Sequence, residues 1–174
     1  MGLLTVYFIA PSDADAAATI DRPGGPGSDA PAPPAPRRGL FRRSTPPAEV
    51  ANAPAVYPTV NGGGIEPVVQ LAQLEAILTG RDFDQVIAEL PEDVVVADRA
   101  GGQRLVVKVS AALTAALAAA SDADLATVAV PWSETEEFWG MGDPEVLTGW
   151  LRVIADHSRE AAEKQQAVYC WVAV

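Results

Sequence analysis

The run Ala167-Val168-Tyr169-Cys170-Trp171-Val172-Ala173-Val174 carries no charge and no apolar–polar alternation. Successive strand residues point to opposite sides, so a strand with one wet face alternates in character. A run apolar at every position belongs in the middle of a sheet, buried on both faces. Its expected neighbours are the N-terminal strand or a hairpin. Leu4 to Ile9, β-branched and aromatic and ended by Pro11, is the first candidate. Asp93 to Ala97 and Arg104 to Val109, joined around Arg99-Ala100-Gly101-Gly102-Gln103, form the second.

Helical signals fill the remainder. Ser12 is placed to cap a helix from Ala14 to Ile20, and Pro67 suits the first turn of another in which Leu71, Leu74 and Leu78 share a face until Thr79-Gly80. Asp82 opens Phe83 to Leu90. Ser110 opens Ala111 to Ala120, with Leu113 and Leu117 on one face. Ser121-Asp122-Ala123-Asp124 restarts a shorter helix expected to end at Pro131. Ser133-Glu134-Thr135-Glu136 has capping-box spacing and predicts a short helix carrying Phe138 and Trp139. Asp143-Pro144 begins the longest helix, with Leu147, Trp150, Leu151, Ile154, Ser158 and Ala161 inward and Arg152, Asp156, Arg159, Glu160 and Glu163 outward. The expected class is α+β, a small mixed or antiparallel sheet packed with several helices.

One stretch breaks the pattern. From Arg22 to about Pro58 the composition turns to Pro, Ala and Gly, and 11 of the 15 prolines lie in the first 60 residues. Such a segment has little apolar surface to offset its ordering entropy, so a disordered or polyproline-like insertion is expected within a single domain spanning residues 1–174. With 49% apolar residues over its 174 positions, the chain can build a core.

Charge narrows the function. Residues 1–60 hold five acids and five arginines, whereas residues 61–174 hold 18 acids against seven basic residues, so the net charge of −11 sits on the globular part. That body repels phosphate backbones, and no nucleic-acid partner is expected. The apolar start is cut off by Pro11 well short of the roughly 20 residues that span a bilayer. A cytoplasmic location is the expectation. Cys170 and His157, each the sole residue of its type, are too few for a zinc site. No metal or cofactor is expected.

Each candidate residue also has a plain structural use. His157 lies on the flank of the long helix's apolar stripe with no partner triad in view, and Cys170 sits in the apolar strand, where a thiol behaves as a small hydrophobe. Asn61-Gly62-Gly63-Gly64 precedes a helix as phosphate loops do, but Glu66-Pro67 adds a negative charge and removes an amide, which favours a linker. The most distinctive stretch is Trp132 to Asp143, combining Trp132, Trp139 and Met141 with Glu134, Glu136, Glu137 and Asp143. Capping accounts for several of its acids, and a partner-binding patch is the next use. Arg37, Arg38, Arg42 and Arg43 flank Leu40 and Phe41 in the one basic cluster, suited to docking on an acidic surface or a membrane, to folding back on the chain's own acidic body, or to acting as a solubilising linker. No catalytic residue is assigned.

Met1-Gly2 with the aromatic strand after it, Leu78-Thr79-Gly80 with Phe83, Leu113 to Leu125, and the final helix plus strand together resemble the YfbM-like bacterial family of unknown function (DUF1877). The resemblance implies a small intracellular α+β protein without established catalytic residues. The chain supports three functional expectations. The first is a non-enzymatic protein-binding module of immunity or regulatory type using an acidic face. The second is a hydrolase-like enzyme joining Glu136, Glu137 or Asp143 with His157. The third is a phage or assembly component.

Overall fold

The computed structural model describes residues 2–29 and 55–174. β5 (Ala167–Ala173) is the middle strand of a five-stranded antiparallel sheet. On one side it pairs along its whole length with β1 (Leu4–Ala10), from Leu4↔Ala173 to Ala10↔Ala167. On the other it pairs with β4 (Arg104–Lys108), which carries β3 (Val95–Arg99) at that edge. The far side of β1 carries β2 (Thr59–Asn61), a strand not anticipated from its three residues between Pro58 and a glycine run. β3 starts two residues later than its expected Asp93, because Glu92 and Asp93 lie in a turn closed by the Val94 amide on the Pro91 carbonyl, and a bulge follows between Val95 and Ala97. The architecture is α+β.

The register sorts the strand side chains into two faces. Tyr7, Cys170 and Val107 lie side by side on one face, while Phe8 is opposite Tyr169 and Val106 opposite Trp171 on the other. The first face is buried under α2 (Val69–Thr79), α4 (Ala111–Ala119), α5 (Asp122–Ser133) and α6 (Pro144–Glu163). α3 (Phe83–Ala88) packs outside α2 through Val86, Ala72 and Ala76. α6 forms as its sequence indicates: Asp143 accepts from the amides of Glu145 and Val146, Pro144 occupies the first turn, and Leu147, Leu151, Ile154, Ser158 and Ala161 are buried.

The second face is covered by α1 (Asp13–Ala17) and by both described ends of the Pro/Gly-rich segment. α1 is capped by Ser12 but stops three residues before the expected Ile20. The expectation of disorder from Arg22 to Pro58 does not hold at those ends. Arg22 is 3% exposed and donates to the carbonyls of Pro26 and Ala55, while the Tyr57 amide donates to the Pro26 carbonyl at 3.1 Å. Gly25, at φ 80°, lies against the Trp171 ring, where an added β-carbon would be 3.5 Å away. Composition signals that a segment cannot stabilise itself, but Phe8, Tyr169 and Trp171 here offer an apolar surface for it to cover. Residues 30–54, including the arginine cluster, lie outside the described residues.

Two further expectations near α5 are corrected. The helix continues through Pro131 to Ser133, since a proline in the last turn forfeits only one hydrogen bond and Trp132 gains full burial there. The capping box forms at Ser121 and Asp124. At Ser133 to Glu136 there is none, because the Ser133 hydroxyl, carried inward on the helix, donates to the Val130 carbonyl at 2.7 Å. Beyond α5 the chain makes a 3-10 turn, Glu136–Phe138, without a side-chain cap.

Candidate functional site

The segment from Trp132 to Asp143 divides into a buried base and an exposed tip. Trp132 is fully buried, and its indole N–H donates to the Gln70 carbonyl at 3.0 Å. Phe138 packs perpendicular to it with centroids 5.2 Å apart, and Trp150 lies at 5.9 Å on another side. Its place in the expected partner-contact set is therefore corrected: Trp132 touches only the protein's own core, because seating its large apolar ring outweighs exposing it. Asp143 is occupied in capping α6.

The tip is Trp139-Gly140-Met141. Trp139 ends the 3-10 turn in the left-handed region at φ 55°, a conformation costly for a residue with a β-carbon. Its amide donates to the Glu136 carbonyl at 2.9 Å, and the Met141 amide donates to that of Phe138 at 2.8 Å. Gly142 then returns the chain against the end of α5. A β-carbon at Gly142 would sit 2.2 Å from the Ser133 carbonyl oxygen, so only glycine fits without a shift. These constraints hold Trp139 and Met141 outward at 84% and 82% exposure.

Beside Trp139 runs an open groove lined by Leu3, Val69, Gln70 and three acids, Glu66, Glu136 and Glu137. The Glu137 carbonyl accepts from Gln70 Nε2 at 3.2 Å and its Oε1 from Gln73 Nε2 at 3.5 Å, while its Oε2 is buried with no partner among the described residues. Glu66 accepts from the amides of Val68 and Val69 at 2.9 and 2.6 Å, so it serves as the anion at the start of α2. The glycine run before it is likewise self-satisfied: the Gly63 amide bonds Asn61 Oδ1 at 2.9 Å and the Gly64 amide bonds Thr5 Oγ1 at 3.2 Å. Glu134 and Glu136 are exposed nearby. The result is an apolar tip with an acidic rim.

His157 lies elsewhere. Its Nε2 is 3.3 Å from the Pro58 carbonyl, so it secures the returning end of the Pro/Gly-rich segment. Fourteen residues separate it from Asp143 along one helix, which at 1.5 Å per residue is about 21 Å. Cys170 is fully buried, and burial pushes its thiol well above the ordinary range, leaving it protonated. Among the described residues, no group of three or more His, Cys, Asp or Glu could hold a metal ion, and no helix is long and apolar enough to cross a membrane.

Of the residues expected from the sequence, Glu136, Glu137 and Trp139 line this groove, Glu134 does not, and Leu3, Glu66, Val69 and Gln70 were not anticipated. No local pattern joins residues so far apart in the chain, and only the packing of α2 beneath Trp132 brings them together. No family model, curated protein or solved structure matches the chain.

Proposed function

We propose that this protein is a non-enzymatic protein-binding module that holds a basic, apolar-bearing segment of a protein partner on the Trp139 tip and its acidic rim, in the manner of an immunity or regulatory protein. The observation that carries the reading is Trp139 itself: a tryptophan 84% exposed in a left-handed backbone conformation, on a base organised by Trp132 and Gly142. Covering an indole of roughly 150–250 Å2 at about 25 cal/mol per Å2 releases about 4–6 kcal/mol before ordering costs. Tryptophan is correspondingly enriched among residues that dominate interface energies. Glu134, Glu136 and Glu137 add a negative rim that steers a basic partner and makes association sensitive to salt.

The test is a pull-down from the source lysate with the wild-type chain and Trp139→Ala, at low and high salt. A protein recovered by the wild type, weakened by salt and lost with Trp139→Ala supports the reading. Recovery of the same proteins by both forms contradicts it.

A further inference from the structure

Away from the tip, a cavity of about 370 Å3 opens between α2, the segment after α3, the end of β4 and the start of α4, a size within the range of small-molecule sites. Val86, Leu90, Val94 and Val109 contribute apolar wall. The charges in it are uneven. Glu75 is 3% exposed, and its only ion-pair partner among the described residues is Arg81, with Nη1 3.3 Å from Oε1. Arg81 is shared, since its Nη2 also binds Glu89. Asp93 lines the cavity and makes no ion pair among the described residues. Lys108, the other basic residue of the lining, is engaged 2.8 Å away by Asp13 on the opposite face of the sheet. Three carboxylates thus face one guanidinium, and the most buried of them has one oxygen without a hydrogen-bond partner among the described residues.

The second Glu75 oxygen accepts no hydrogen bond among the described residues and is not closed off from solvent, so a cation entering the cavity can reach it and form a charge-assisted bond. We infer that this cavity is a binding site for a small organic monoamine: a protonated amino group pairing with Glu75, and an apolar body lying against Leu90, Val94 and Val109. Arg81, about a third exposed, remains bound to Glu89 when the ammonium takes its place at Glu75. The site is independent of the Trp139 tip, sharing no lining residue with the groove there.

The experiment is isothermal titration of the full chain with 2-phenylethylamine, its neutral isostere 2-phenylethanol and the anion 3-phenylpropanoate. Two variants are included, Glu75→Gln and Ala112→Phe; the latter adds a ring at an exposed lining position without changing any charge. Saturable binding of the amine at least about tenfold tighter than of the alcohol, weakened about tenfold or more by Glu75→Gln, is the expected result, since a hydrogen-bonded charge pair is worth that much. Ala112→Phe should weaken it similarly, and it keeps the test open if Glu75→Gln does not fold. Equal binding of amine and alcohol, no saturable binding of the amine, or indifference to both variants would overturn the assignment.

Discussion

Gly142→Ala isolates the contact that fixes the exposed tip. The added methyl group would lie 2.2 Å from the Ser133 carbonyl oxygen, 2.8 Å from its Cα and 2.9 Å from its carbonyl carbon. All three are backbone atoms at the end of α5, so no side chain can rotate away. Reaching ordinary contact requires a shift of roughly 1 Å by the loop or the helix end. The helix end is anchored by fully buried Trp132, so the loop should yield and carry Trp139 and Met141 with it. Overpacking of this kind costs about 1–3 kcal/mol, or about 2–12 °C in Tm for a chain of this length. Urea unfolding followed by circular dichroism reads the stability, and tryptophan fluorescence of the folded state reports the tip. A loss below about 0.5 kcal/mol with an unchanged emission spectrum would refute the claim that Gly142 sets this loop.

Other substitutions test separate parts of the account. Gly149→Ala lies within α6 with open space around it, so it should stabilise the chain by about 0.5–1 kcal/mol in the same urea assay. Trp132→Phe removes the hydrogen bond to the Gln70 carbonyl and leaves a void beside Phe138, with an expected loss of about 2–4 kcal/mol by chemical denaturation. Asp13 has its carboxyl held below the usual range, first by the hydrogen bond it accepts from Lys108 and then by that from Tyr169. Its folded-state pKa is thus the lower one, so its contribution is present above the unfolded value of about 4 and is lost as pH falls through the folded value. Denaturation curves from pH 6 down to pH 2 should show wild type losing more stability than Asp13→Asn, by a modest amount because the pair is half-exposed.

The central strand and the long helix were readable because each carries a signal that local chemistry completes. The Ala167 to Val174 run shows no apolar–polar alternation that would leave one face wet, and Asp143-Pro144 supplies both a cap and a suitable first turn for α6. β2 was not readable: Thr59–Asn61 holds a single buried residue, Val60, and its pairing depends on Val6, Tyr7 and Phe8 far away in the chain. The glycines after it read as a linker, yet a β-carbon at Gly62 would strike Thr5 and Tyr7, a close approach of backbone that composition cannot reveal. The site was half legible for a related reason. Trp132 and Trp139 are the same residue type seven positions apart, and the difference between them is the tertiary contact that seats one on Gln70 and leaves the other outside.

The central claim is that Trp139 supplies the binding energy of a partner interface and the surrounding acids supply its steering. With a partner in hand, surface-based kinetics on wild type, Trp139→Ala and the double variant Glu136→Gln/Glu137→Gln measure this most directly. Trp139→Ala should act on dissociation, weakening Kd by at least about 30-fold, which is about 2 kcal/mol. The charge variant should act on association and flatten the dependence on salt. Wild-type affinity in Trp139→Ala, with the partner still bound at high salt, would contradict it.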